Sequence, residues 1–158
     1  MKFVNEMKLS FPSRSANEGF ARTAVSAVLA QLDPTVEEIS DIRTAVSEAV
    51  TNCIVHGYPD CVGTITVEAG IREDGRAVIR IRDRGTGIAD VRQAMEPLFT
   101  TCETGERAGL GFAVMESFTD KLRVRSTPGR GTVVTMEKKI KTKGDSDESS
   151  KGKDAGTL

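Results

Sequence analysis

The sequence is poor in the residues that build metal centres and disulfide frameworks. Its 158 residues include three cysteines, an odd number with no C-x-x-C pair, and a single histidine, His56. A structural zinc site draws its ligands mainly from cysteine and histidine, and a disulfide framework needs paired cysteines. The composition argues against both, and it leaves no second histidine to serve as a separate phosphate acceptor.

The sequence also lacks an excess of charge and a long apolar segment. Lysine and arginine number 22 against 23 aspartate and glutamate, which gives a net charge of -1. A general nucleic-acid binder needs a basic face, and a membrane span needs a run of roughly 20 apolar residues. The first residues, Met1 to Glu6, lack the apolar stretch of a signal peptide. We therefore expect a cytoplasmic protein that contacts neither membrane nor nucleic acid directly.

The length suits one domain. We expect this domain to span residues 1–140, because the composition of residues 141–158 shifts to lysine, glycine, serine and aspartate. A segment of that composition buries too little apolar surface to offset its ordering entropy. The sequence therefore predicts a disordered polar tail after the domain.

Hydrophobic periodicity predicts the element order β-α-α-β-β-α-β-β. Alternation with a period of two predicts strands, and apolar residues three or four apart predict helices. The predicted strands cover 6–11, 65–71 and 77–81 and two segments between 122 and 140, and the predicted helices cover 15–32, 35–56 and 110–118, with a short helix near 90–95. The predicted fold class is α+β, a two-layer sandwich with helices on one face of a mixed, mainly antiparallel sheet.

Local signals refine the helices. Ser15-x-x-Glu18 and Thr35-x-x-Glu38 have the spacing of capping boxes at helix starts. In the first helix, we expect the apolar face that includes Phe20 to be buried. In the last helix, the apolar stripe is expected to be Leu110, Val114 and Phe118.

Asp83 is a candidate ligand-binding residue because of its position in a strand. It lies in phase with the apolar residues of the strand from Ala77, and an unpaired carboxylate on a buried face is costly. Gly85 and Gly87 follow and allow a sharp turn close to a ligand. A carboxylate beside such a turn is suited to accept a hydrogen bond from the adenine amine. The alternative interpretation is an ordinary D-x-G-x-G loop.

Glu48, Asn52 and His56 are spaced i, i+4, i+8, so they share one face of the second helix. Asn52 offers a carbonyl oxygen suited to Mg²⁺, and Glu48 could accept a proton from a nearby hydroxyl. A solvated polar face is the alternative.

Two glycine motifs add weaker signals. The segment from Arg107 to Gly111, which contains Gly109, precedes a predicted helix, where backbone N–H groups and the helix dipole favour a phosphate. The residues before it, 97–105, could form a lid over a nucleotide or a plain long loop. Gly131 and Thr132 lie at the start of the last strand, where a small hydroxyl beside a glycine turn can contact a ligand. Most Gly-Thr pairs, however, only begin a strand.

In combination, these motifs resemble one family. Glu48 to Gly57 is similar to the N box of the GHKL ATPase and kinase superfamily, Asp83 to Gly87 to its first glycine box, and Gly109 to Gly111 to its second. Gly131-Thr132 is similar to its closing threonine motif. The likeness covers residues 7–140, and within the superfamily it is greatest to the serine-kinase anti-sigma factors of sporulating bacteria. It implies the GHKL, or Bergerat, ATP-binding fold.

The resemblance implies roles for individual residues. Asn52 would bind Mg²⁺, Asp83 the adenine amine of ATP or ADP, and Glu48 would be the general base. The remaining nucleotide-binding residues would be Gly85, Gly87, Thr101, Arg107, Gly109, Leu110, Gly111 and Thr132.

It also implies protein partners. A homodimer would hold a sporulation sigma factor and would phosphorylate a serine of an anti-anti-sigma factor, with Glu18 and Arg22 of the first helix as partner contacts. Three alternatives are a general-stress anti-sigma kinase, the catalytic domain of a histidine kinase, and a nucleotide-binding module without turnover. A histidine kinase needs a phosphate-accepting histidine outside the N box, and this sequence has only His56.

Overall fold

The computed structural model describes residues 2–96 and 111–141. The first helix continues as a 3₁₀ turn over Ala30–Leu32, and the second continues as a π-helical turn over Cys53–Gly57. The elements are β1 Phe3–Pro12, α1 Ala16–Leu29, α2 Val36–Asn52, β2 Thr64–Arg72, β3 Arg76–Asp83, α3 Val91–Met95, α4 Phe112–Phe118, β4 Lys121–Thr127 and β5 Gly131–Lys139. The predicted element order is confirmed.

The five strands form one sheet in the order β1-β2-β3-β5-β4. Each of its four strand pairs is antiparallel. The α+β class and the mainly antiparallel sheet are therefore confirmed, and the parallel pairing that a mixed sheet allows does not occur among the described strands. One face of the sheet packs against the helices, and the other, called here the open face, carries mostly polar residues.

The core lies between the sheet and the two long helices. Alternate residues of β2 and β3 point toward the helices, where Ile65, Val67, Ile79 and Ile81 are almost fully buried. Helix α2 contributes a stripe of Ile42, Ala45, Val46, Ala49, Val50 and, in its π-helical turn, Cys53. The helical spacing of Ile39, Ile42, Val46, Val50 and Cys53 predicts such a stripe in the core, and all of these residues except the half-buried Ile39 are buried.

The buried face of α1 differs from the predicted one. Ala21, Val25 and Leu29 are fully buried, whereas Phe20 is 57% exposed. Ala21, Val25 and Leu29 follow an i, i+4 spacing that points at the sheet, and Phe20 lies about 100° away from that face around the helix. Its ring instead packs edge-on against Phe11, with ring centroids 6.4 Å apart.

The two predicted capping boxes have different outcomes. Thr35 accepts a hydrogen bond from the Glu38 backbone N–H, and Glu38 accepts one from the Thr35 N–H, so the second box is confirmed. The first prediction was wrong, because Ser15 has helical backbone angles and makes no capping hydrogen bond. The carboxylate of Glu18 instead accepts a hydrogen bond from the Ser47 hydroxyl on α2.

The last helix also has a shifted buried face. Phe112 and Met115 are buried, while Val114 and Phe118 are only half-buried. Helix α4 packs on α2, and the i, i+3 pair Phe112 and Met115 fills that contact. Leu110, the predicted lid over 97–105 and the tail from residue 142 lie outside the described residues. Within the described ranges, no helix has the length and apolar composition needed to cross a membrane.

The capping boxes make a testable prediction about stability. Replacing Thr35 by alanine removes the acceptor for the Glu38 N–H, so the free energy of unfolding should fall by about 1 kcal/mol. Urea unfolding followed by circular dichroism measures this value. Ser15→Ala is the matched control and should change stability much less, because the Ser15 side chain caps nothing. An equal loss in both variants would contradict this assignment of the caps.

Candidate functional site

Asp83 is the last residue of β3, and it points to the helix side of the sheet. Its neighbours in register are Ile65 on β2 and Thr132 on β5. The residue is only 5% exposed, and its Oδ1 accepts a hydrogen bond of 2.9 Å from the Gly85 N–H. The predicted phase of the strand is confirmed. A buried carboxylate with remaining acceptor capacity is suited to bind a ligand N–H.

The turn after Asp83 lies directly against the end of α2. A Cβ at Gly85 would overlap the carbonyl group of Gly57, so only glycine allows this approach. The Thr86 N–H donates a 2.9 Å hydrogen bond to the Gly57 carbonyl oxygen, and the Thr86 hydroxyl donates one of 2.8 Å to that of His56. The first glycine box and the end of the N box therefore form one contact.

A second glycine joins this turn to the β4–β5 hairpin. Gly87 has φ +73°, and a Cβ there would overlap the carbonyl oxygen of Thr127. The Ser126 hydroxyl oxygen lies 2.7 Å from the Ile88 N–H, which donates to it, and 2.8 Å from the Thr132 hydroxyl. Thr132 is thereby held beside Asp83, as the predicted site requires.

Glu48 and Asn52 lie one helical turn apart on α2 and are half-buried. Gly111, the N-cap of α4, has φ +64°, and a Cβ there would overlap the Glu48 carboxylate. The start of α4 and the face of α2 that carries Glu48 are therefore in direct contact. His56, the third residue of the predicted face, is exposed at the end of α2.

A recess lies between Asn52 and Asp83, and Glu48 is not among its lining residues. It has a volume of about 30 Å³. The lining includes Asn52, Cys53, His56, Gly57, Asp83, Gly87, Ile88, Phe112 and Thr132.

Four predicted nucleotide-binding residues are outside the described part of the chain. They are Thr101, Arg107, Gly109 and Leu110. Their placement relative to Asp83 and Glu48 stays a prediction from the sequence.

Sequence reasoning missed Tyr58 as a support of the site. Its hydroxyl donates a 2.7 Å hydrogen bond to the Thr64 carbonyl and accepts one of 2.7 Å from the Arg84 N–H. Tyr58 therefore fixes the backbone directly after Asp83. Burial raises the pKa of Tyr58, which keeps its hydroxyl protonated. No periodic pattern marks this residue, because it lies in the irregular segment after α2.

Cys53 was predicted only as a core residue, yet it lines the same recess as Asp83. Burial is the main cause that raises the pKa of the Cys53 thiol, and the charge of Asp83 adds to it. The thiol therefore stays neutral beside the carboxylate.

The donors available for a metal are few. Within residues 2–96 and 111–141, no cluster of three or more histidine, cysteine, aspartate or glutamate side chains could hold a metal ion. Asn52 is the predicted ligand, and Mg²⁺ commonly takes one or two protein ligands with phosphate oxygens and waters.

The predicted partner residues lie beside the site. Arg22 and Glu18 form an i, i+4 ion pair of 3.6 Å on α1, with side chains 42% and 23% exposed. Glu18 also accepts the hydrogen bond from Ser47, the residue before Glu48. An exposed ion pair of this kind adds little stability.

The fold is that of an ATPase domain. Residues 11–138 match the family model of the histidine kinase-like ATPase domain. This match covers most of the described elements, from the end of β1 to the end of β5.

Relatives of similar length identify the family within this class of ATPase domains. The anti-sigma F factor of Thermoanaerobacter sp. (strain X514) is 57% identical over 140 residues, which are 89% of this chain and 97% of the relative. The anti-sigma F factor of Caldanaerobacter subterraneus subsp. tengcongensis is 58% identical over the same shares. That of Clostridium novyi is 53% identical over 87% of this chain and 96% of its own. The chain belongs to the anti-sigma F factor family.

Solved structures support the fold. The structure of the RsbU and RsbW domains of a Mycobacterium tuberculosis protein matches 87% of this chain and 33% of its own, with a TM-score of 0.64 and 22% identity. The histidine kinase domain of an Erythrobacter litoralis blue-light activated kinase matches 78% of this chain and 61% of its own, with a TM-score of 0.55 and 17% identity.

The two described cysteines should differ in reactivity. Cys61 is exposed, whereas Cys53 is buried with a raised pKa. Because the thiolate is the reactive form, iodoacetamide at pH 8 should modify Cys61 and spare Cys53 until the protein is unfolded. Peptide mass spectrometry measures both rates in one sample, so Cys61 is the internal control. Equal rates in the folded protein would contradict the burial of Cys53 beside Asp83.

Proposed function

We propose that this protein is an ATP-dependent protein serine/threonine kinase that also acts as an anti-sigma factor. It binds and sequesters a sporulation sigma factor, and it phosphorylates a serine of an anti-anti-sigma factor. Membership of the anti-sigma F factor family supports both partners. We place the protein in the cytoplasm, with residues 1–140 as the kinase domain and 141–158 as its tail.

One observation carries this proposal. The buried carboxylate of Asp83, the half-buried Glu48 and Asn52, and the glycine turn after β3 converge on one side of the sheet. An adenine reader, a metal ligand and a base within one site are the parts that phosphoryl transfer from ATP requires.

Asp83 is assigned to the adenine. Its free acceptor capacity fits the exocyclic amine, and Thr132 lies beside it in register on β5. Gly85, Gly87 and Gly111 contribute backbone surface without side chains, which lets a nucleotide approach closely. Arg107, with Gly109, Leu110 and Thr101, is assigned to the phosphates and the lid.

Asn52 is the proposed Mg²⁺ ligand. The chemistry of its amide oxygen fits this ion, since a neutral oxygen leaves the other positions to phosphates and water. When bound, the ion neutralises charge on the phosphates. Asn52 lies one turn from Glu48 on the same helix, so the proposed metal ligand and the proposed base are on the same side of the site.

Glu48 is proposed as the general base. During transfer, the serine oxygen forms a bond to the γ-phosphorus, and the bond from that phosphorus to the bridging oxygen of ADP breaks. The serine proton goes to the Glu48 carboxylate. Because Gly111 has no side chain, the Glu48 carboxylate can contact the start of α4. A Cβ at position 111 would overlap that carboxylate.

The partner surface is proposed on α1. Glu18 and Arg22 are half-buried next to the face of α2 that carries Glu48, and Phe20 adds an exposed aromatic ring. A protein docked there lies close to Glu48, because Glu18 already bonds to Ser47. We also propose a homodimer, as the family resemblance implies.

The assignment of Glu48 is tested by Glu48→Gln. This change removes the base and keeps the shape, so phosphoserine formation on the antagonist should fall by at least about 100-fold. Mg·ATP affinity should stay within about twofold. Labelled ATP and isothermal titration calorimetry measure the two quantities.

The matched control is Glu37→Gln, because Glu37 is exposed at the other end of the same helix. It should retain both properties. If Glu48→Gln loses ATP affinity in parallel with turnover, Glu48 is not the base.

The partner surface is tested by Arg22→Glu. Charge reversal should weaken binding of the sigma factor or of the antagonist by about tenfold or more, while the melting temperature stays within a few degrees. A pull-down followed by a binding titration measures it. Lys2→Glu, at the far end of β1 from α1, is the control and should bind normally. Unchanged binding by Arg22→Glu would contradict the assignment.

A further inference from the structure

The open face of the sheet carries a second cluster of charge, directly behind the nucleotide site. Asp83 and Thr132 face the helices, and the next residue along each strand faces the other way. Arg82 on β3 is paired with Val133 on β5, and Val133 is paired with Arg125 on β4. The two arginines therefore flank Val133 at a separation of roughly 10 Å between their strands.

Two further arginines complete the cluster. Arg84 follows Asp83, and Arg130 lies in the turn between β4 and β5. With Arg82 and Arg125 they line a surface cavity of about 310 Å³. We call these four residues the arginine cluster. Among the described residues of the lining, Asp83 is the one acidic residue, and one of its oxygens already accepts a hydrogen bond from the Gly85 N–H.

The glutamates of the open face are already paired with cations. Glu68 is paired with Lys8 and Arg80, at 3.7 and 3.8 Å. Glu137 is paired with Arg72 and Arg76, at 3.4 and 3.6 Å. Among residues 2–96 and 111–141, no ion pair involves a member of the arginine cluster. Arg123 lies on the same outward row of β4 as Arg125 and also has no ion pair among the described residues, so the unbalanced positive charge extends from the cluster along β4.

Protection of a sheet edge does not account for this arrangement. Edge strands often carry charged side chains that prevent aggregation, and β4 is an edge strand with Arg125 exposed. Arg82, however, belongs to the central strand β3, and Arg84 and Arg130 belong to the adjoining loops. Gathering four like charges in one cavity is unfavourable unless an anionic group binds there.

We propose that the arginine cluster binds a short acidic segment of a partner protein. Guanidinium groups match carboxylates with paired hydrogen bonds, and four of them around one cavity fit a few aspartate or glutamate side chains. An extended nucleic acid is less suited, because the open face beyond the cluster carries the carboxylates of Glu68 and Glu137, which already pair with the cations near them.

The test uses the full chain and a fluorescein-labelled hexaglutamate peptide in low salt. Fluorescence anisotropy should detect binding, and Arg82→Gln/Arg125→Gln should weaken it by about tenfold or more. Binding should also decrease as salt is raised. Lys8→Gln/Arg14→Gln removes the same charge elsewhere and should bind the peptide like the unaltered protein.

Mg·ATP affinity of the cluster variant serves as the control for folding and should be unchanged, because Arg82 and Arg125 point away from the nucleotide face. Peptide binding does not require turnover, so its outcome is independent of whether the protein has the proposed kinase activity. Equal peptide binding by both double variants would overturn the proposal. Tighter binding of a labelled single-stranded oligonucleotide, lost in the same cluster variant, would also overturn it in favour of nucleic acid.

Discussion

The contact between the end of α2 and the end of β3 is the constraint on which the site depends. Gly85 lies so close to Gly57 that neither strand nor helix can shift without breaking it, and Thr86 ties the two backbones with hydrogen bonds. The close approach places the buried carboxylate of Asp83 next to the helix that carries Glu48 and Asn52. The absence of a side chain at Gly85 therefore matters because it lets the strand and the helix approach each other, and Gly85 supplies no chemical group to the site.

Neighbouring residues at this end of the sheet face opposite sides and so contribute to two different surfaces. Because successive residues of a strand face opposite sides, the row that contains Asp83 and Thr132 faces the helices, and the row that contains Arg82 and Arg125 faces outward. One short stretch of β3 thus contributes to the proposed nucleotide site on one face and to a basic surface on the other. The α1 ion pair of Glu18 and Arg22 adds a third surface, joined to α2 through Ser47.

Much of this arrangement follows from local sequence rules. The period-two pattern of β3 placed Asp83 on the buried face, and the capping box at Thr35 fixed the start of α2, since both depend on neighbours within a few residues. Phe20 and Ser15 were predicted wrongly, because tertiary contacts decide which side of α1 faces the sheet and which partner Glu18 takes. Tyr58 and the cluster around Arg82 could not be predicted, because they depend on strand register and on loops brought together by the fold.

The most direct test of the central claim compares two nucleotides by calorimetry. If the Asp83 carboxylate accepts a hydrogen bond from the adenine amine, the protein should bind Mg·ATP at least about tenfold more tightly than Mg·GTP, which presents a carbonyl oxygen at the corresponding position. Asp83→Asn should remove most of that preference. Equal affinities for the two nucleotides, or an unchanged preference in Asp83→Asn, would contradict the account.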